Sequence, residues 1–224
     1  MIDGENAARG VTPWERVAPL AGIVAVILWV VGAIVLFSAA DEETAREVLA
    51  AYRDDAGSIL AGGFIFQLGT LFFIWFLGSL RSRLQSVEGG VGRRAAIAFG
   101  AGLATAIFLL GLPATDMAGA LADDDELSAP MASAVHTLGD AFFIGAELAA
   151  APLLVAVALV VLQTGVLPRW LAWVSLLLAL VLVVLPIGWA GLLFAYPLWV
   201  LAVSVLLWRV GEAPAAREAA VEVP

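Results

Sequence analysis

The stretch ASAVHTLGDAFFIGAELAAAPLLVAVALVVLQ, Ala132–Gln163, decides how the whole chain is read. After Glu147 it carries no charge, and almost every side chain is hydrocarbon. About 20 such residues cross a bilayer, because the hydrocarbon core is about 30 Å thick and a helix rises about 1.5 Å per residue. Five further stretches have the same character: Pro19–Ser38, Ile59–Leu80, Ala95–Leu121, Trp170–Leu185 and Ile187–Trp208. The stretch at 132–163 is longer than a bilayer needs, so its first turns are expected to protrude or tilt. Only Pro186-Ile187-Gly188 separates the last two stretches, which predicts a tight helical hairpin.

Composition agrees with this reading. Hydrophobic residues make up 62% of the 224 and charged residues 14%, whereas soluble domains carry about 25% charge. Mean hydropathy is +1.01. The predicted fold is all-α: a polytopic transmembrane bundle of six spans. Residues 1–18 form an N-terminal tail, 19–209 the membrane domain and 210–224 a C-terminal tail.

Arginine placement sets the expected orientation, since positive loops stay on the cytoplasmic side. With six spans, Arg9, Arg16, Arg81, Arg83, Arg93, Arg94, Arg169, Arg209 and Arg217 share one side. The other side has Arg46 and Arg53 beside the acidic groups Asp41–Glu43, Glu47, Asp54–Asp55 and Asp123–Glu126. Both termini are therefore expected in the cytoplasm, with the acidic loops outside. Trp14, Trp170, Trp173 and Trp208 fall near the inner boundary and Trp189 near the outer one, as interfacial anchors do. The run at 37–40 could end a cleaved signal, but its flanks and length fit a retained anchor better.

Several chemistries are excluded by what the chain lacks. With no Cys, there are no disulfides, thiolate metal sites or iron–sulfur clusters. All 11 basic residues are Arg, which removes a lysine Schiff base and a Walker-type phosphate loop. His136 is the single histidine, so three-histidine zinc sites are excluded within one chain. The net charge of −9 belongs largely to exterior loops, and no nucleic-acid partner is expected. Asp123–Glu126 lacks the glycine and distal glutamate of an EF-hand loop. No cofactor is expected.

Small residues at four-residue spacing, Gly100/Ala104, Gly102/Ala106 and Ala141/Gly145/Ala149, predict close helix contacts in lipid. Pro152 is expected to kink its helix and free the carbonyl of Leu148.

Ionisable side chains inside a span are costly and usually face a bundle interior or a wet cavity. His136, Asp140 and Glu147 lie within about 40° of one another on one helix, because residues advance about 100° each. Counting along the helices puts Glu147 roughly 6 Å below the outer boundary, with Asp140, His136 and Asp116 at or above it. The same counting puts Gln67 and Tyr196 roughly 10–12 Å down. The expected object is an outward polar pocket with Glu147 as its floor, Gln67 and Tyr196 nearby, and Asp116, Asp140 and His136 at its mouth. Plain interfacial exposure and interhelical hydrogen bonding are the competing roles for these residues.

The element Gly165-Val166-Leu167-Pro168-Arg169-Trp170-Leu171, following His136, Asp140 and Glu147 on the preceding helix, carries a resemblance. With the outward loop after span one and the Arg-bearing loop after span two, the chain resembles six-span bacterial integral membrane proteins of the domain-of-unknown-function type. That resemblance implies architecture and a bacterial cytoplasmic (inner) membrane location, with no substrate.

Three functions fit. The first is a non-catalytic accessory, sensor or organising protein, whose partners are the lipid bilayer and another membrane protein or a second copy. The second is a proton-coupled small-solute carrier in which Glu147 exchanges a proton with the exterior. The third is an intramembrane metal-dependent enzyme using His136, Asp140, Glu147 and Asp116. His136 and Glu147 are about 16 Å apart along the helix axis, which counts against a single metal ion.

Overall fold

Long apolar runs become long helices, continuing even across Pro113 and Pro152, since in lipid each backbone polar group must find its partner within its own segment. The computed structural model describes residues 17–37, 44–123 and 127–221. Trp14, Arg9, Arg16, Ser38 and the acidic runs at 41–43 and 124–126 lie outside them. The described residues are helical, with no strand among them. A 3-10 turn, Ala18–Leu20, leads into α1, Ala21–Phe37. There follow α2 (Ala45–Asp54), α3 (Ala56–Glu88), α4 (Arg93–Ala120) and α5 (Ala129–Thr164). Then come α6 (Arg169–Val183), the short α7 (Leu185–Ala190), a π-helical segment (Gly191–Ala195) and α8 (Tyr196–Val221).

Five helices are long and apolar enough to cross a membrane: Ala18–Leu36, Ala56–Glu88, Arg93–Ala120, Ala129–Thr164 and Ile187–Arg209. These mark an integral membrane protein. The predicted fifth span corresponds to α6, which is apolar but only 15 residues long, or about 22 Å. Helix α3 outruns its expected end at Leu80 because the chain stays helical through Glu88. Glu88 then caps α4, its carboxylate accepting from the backbone N–H groups of Arg94 and Ala95 at 2.8 Å each. The last helix likewise continues past Trp208 to Val221.

Neighbours in sequence pack in order, α1 on α3, α3 on α4, α4 on α5 and α5 on α6, and α8 returns against α1 to close the bundle. Phe73, Phe76, Leu153, Leu154, Val157, Leu171 and Val200 fill the interior. The outer faces carry Phe64, Leu68, Leu71 and Trp75 on α3, and Trp173, Leu177 and Leu180 on α6, all exposed. Spacings of three and four place each set on one helix face. In water such patches would drive association; against lipid they need no cover.

At the crossing of α1 and α3 glycines bring backbone against backbone. A Cβ added to Gly32 would stand 2.6 Å from the backbone nitrogen of Phe66 and 2.8 Å from the carbonyl oxygen of Gly62. One added to Gly62 would meet the backbone nitrogen of Leu36 at 2.8 Å. By contrast, the expected small-residue contact at Gly100 is absent, with nothing within 4 Å of its Cβ position. Gly102 faces Leu77 and Gly145 faces Phe108, so those two glycines do sit at helix contacts.

One departure from α-helical geometry precedes Pro197. Proline has no N–H, and its ring clashes with the carbonyl four residues back. The turn before it widens instead, and the Tyr196 N–H reaches back five residues to the carbonyl of Gly191.

Candidate functional site

At one end of the bundle, α2 lies across the helix ends. Its start is set by a capping box: the Thr44 hydroxyl accepts from the Glu47 N–H at 3.4 Å, and Glu47 accepts from the Thr44 N–H at 2.8 Å. Val48, Ala51 and Tyr52, spaced three and four apart, bury one face of α2 against the bundle. This face delivers Tyr52 to Asp116.

Asp116 is buried near the end of α4, 8% exposed. Its Oδ1 accepts from the Tyr52 hydroxyl at 2.8 Å, and His136 Nδ1 of α5 lies 3.0 Å from the same oxygen. One carboxylate thus ties together a loop helix and two long helices. Burial, and then the neighbouring Asp116 carboxyl, push the Tyr52 hydroxyl well above the usual phenol range. Gly119 makes room for the ring, since a Cβ there would come within 2.2 Å of it. Beside this latch is a recess of about 220 Å³, lined by Tyr52, Arg53, Gly119, Asp123 and Leu127 among others.

Glu147 sits lower on α5 and is 2% exposed. It has no hydrogen bond among the described residues. A Cβ on Gly188 of α7 would stand 2.8 Å from its Oε1, so the short helix after α6 rests directly on the carboxyl. Asp140, between the two on the same helix, is exposed. Gln67 donates to the carbonyl of Leu110 at 3.1 Å, joining α3 to α4.

Tyr196 belongs to an aromatic cluster. Its ring lies 6.4 Å from that of Trp29, 6.1 Å from Phe73 and 6.0 Å from Trp199, centre to centre. It also forms part of the wall of an apolar crevice of about 420 Å³ between α1 and the π segment. The other five expected pocket residues do not line that crevice.

The six residues therefore divide into separate sites. Asp116 and His136 meet directly, and Glu147, Gln67 and Tyr196 each have a different neighbourhood. Among the described residues no three of His, Asp and Glu come together in a way that could hold a metal ion. Tyr52 was invisible to span-based reasoning because it lies on a short helix between two apolar stretches. Its signal was the Thr44-x-x-Glu47 capping box followed by apolar residues at helical spacing.

Comparison with protein-family models, curated proteins and solved structures gives no match for this chain. Its chemistry is accordingly read from its own geometry.

Proposed function

We propose that this chain is a six-pass protein of a bacterial cytoplasmic membrane, with both termini in the cytoplasm, that works as a non-catalytic accessory, sensor or organising protein. One observation carries the reading: Asp116, the buried acid at the end of α4, is engaged in joining helices. It holds Tyr52 and His136 and so fastens the loop helix over the bundle. Helix α6 serves as the fifth pass. It packs along α5, its exposed Trp170 and Trp173 lie at the arginine-rich end, and Ser175 accepts from Trp199 of α8 at 2.8 Å. A lipid bilayer and a second membrane protein or copy of the chain are the partners this reading implies.

A second reading, a proton-coupled carrier, is favoured by Glu147 alone, because an ionisable side chain 2% exposed within a span is costly to keep. The two readings separate in a deletion strain. Glu147→Gln at wild-type expression should restore the deletion phenotype as fully as the wild type. Failure to restore it would overturn the non-catalytic reading in favour of the carrier.

Topology has its own check, helped by the absence of native cysteine. Ser58→Cys should react with a membrane-impermeant maleimide on intact cells, and Ser82→Cys only after permeabilisation. The reverse pattern would invert the proposed orientation.

A further inference from the structure

The apolar contacts under α2 stand apart from the main core. Leu36, Val48, Tyr52, Ile59, Leu127 and Ala132 pack together as a separate unit, so α2 can lift without unpacking the bundle. A helix of 10 residues is too short to be stable alone in water, and its hold depends on what it touches. Its buried polar tether is the Tyr52 hydroxyl, which donates to Asp116 Oδ1 at 2.8 Å.

The oxygen that takes this tether also takes a second donor. His136 Nδ1 lies 3.0 Å from the same Oδ1. An ionised carboxylate only accepts, so Nδ1 carries a hydrogen whether the ring is neutral or charged. Gain and loss of a proton therefore fall to Nε2. The His136 side chain is 34% exposed and that of Asp116 12%, so water reaches the ring more readily than the carboxylate.

Charging the ring changes what Tyr52 meets. Beside a neutral imidazole, the hydroxyl donates to an uncompensated carboxylate, the stronger class of hydrogen bond. Beside an imidazolium, the carboxylate shares its charge with a cation 3.0 Å away, and the tether falls toward the neutral class.

The surrounding charges leave this sign intact. Asp140, one turn along α5, also acts on the ring, but it is exposed. Arg46, Glu47, Arg53, Asp54, Asp55 and Asp123 at this end are likewise exposed, where water and salt screen them. From Ala56 to Leu80 and from Trp170 to Ala190, the helices packed on α4 and α5 carry no ionisable side chain. Between about pH 5 and pH 8, imidazole is the side chain that ordinarily changes charge.

We propose that the α2 latch is proton-sensitive: protonation of His136 at Nε2 weakens the hold of Asp116 on Tyr52, so acid on the outer side loosens α2 and neutral medium fastens it. The inference deepens the sensor branch of the proposed function and rests on it for which side of the membrane supplies the proton. Exchange in the purified protein tests the coupling itself, whatever the orientation or the role of Glu147.

The test is amide hydrogen exchange of the full chain in nanodiscs at about pH 5.5 and about pH 8.5, on either side of the imidazole range. Rates over residues 48–54 are divided by those of the unstructured peptide at each pH, which removes the pH dependence of the exchange chemistry. Protection there should be about tenfold lower at the acid value, the difference between the charged and neutral classes of hydrogen bond, while Leu153 and Val157 stay equally protected. His136→Gln, neutral at both values, should show no pH response. Tyr52→Phe, which keeps the ring and loses the tether, should show low protection at both. Equal or greater protection of the wild type in acid, or a pH response that persists in either variant, would overturn the proposal.

Discussion

Gly32→Val is expected to lower the melting temperature of the purified protein by roughly 6–12 °C. The figure follows from an overpacking cost of about 3 kcal/mol and a shift of about 2–4 °C per kcal/mol for a chain of this size. The cost is high because the new side chain meets backbone. Phe66 N and Gly62 O stand 2.6 and 2.8 Å from the Cβ position, and neither can rotate away as a side-chain tip could. Gly62 meets α1 in the same way, so the α1–α3 crossing has no slack on either side. Helices in lipid gain little from hydrophobic exclusion between them, so a lost close approach has no replacement. Gly100→Val is the control, with nothing within 4 Å of its Cβ position; it should stay within about 0.5 kcal/mol of wild type. If Gly32→Val melts like the wild type while Gly100→Val falls, the tight crossing has been assigned to the wrong helices.

Asp116→Ala should release the loop helix. Two groups lose their acceptor together, the Tyr52 hydroxyl and His136 Nδ1. A hydrogen bond to a charged group contributes about 1.5–3 kcal/mol, so amide exchange over residues 48–54 should accelerate about 10- to 100-fold. Exchange at Leu153 and Val157, deep in the core, should not change. The latch should also be sensitive to alkali, with a definite sign. Tyr52 holds its proton more tightly in the folded protein than in the unfolded chain. Its contribution is therefore complete below the free phenol value of about 10 and is lost as pH rises beyond it. Melting temperature should fall above about pH 10 in the wild type, and that component of the fall should be missing in Tyr52→Phe. Unchanged exchange over residues 48–54 in Asp116→Ala would sink the latch.

The positions of the long helices were legible in the sequence because length and hydropathy are local properties. Each of the six apolar stretches corresponds to a helix, with ends displaced by a few residues or, for α3 and α8, by a helix running on past its apolar run. The single-helix stripe of His136, Asp140 and Glu147 was also legible, but its consequence was not. Which of the three is buried depends on neighbours that counting along one helix cannot supply. Asp116 engages His136, which stays half-buried, α7 covers Glu147, and Asp140 is left exposed.

The tight crossing was missed for a related reason. Its small residues recur at seven, not four: Ala25 and Gly32 on α1, Gly62 and Gly69 on α3. A Cβ on Gly69 would meet the carbonyl of Ala25 at 2.9 Å, so this spacing was the signal. Pro197 announced the widened turn, yet a proline near the start of a span reads equally well as an ordinary helix opening.

That widened turn also sets a phase. A five-residue reach places one more residue in the turn than an α-helix would, and each residue is worth about 100° of rotation. Everything before Gly191 is therefore clocked relative to everything after Tyr196. Gly188 rests on Glu147 and Tyr196 faces the aromatic cluster only because of that offset. A chain one residue shorter between Gly191 and Ala195 could restore a regular helix, but it would turn another side chain of α7 onto the Glu147 carboxyl, where only a hydrogen now fits. The environment of the buried acid and the geometry of the lateral crevice are thus two readings of a single inserted residue.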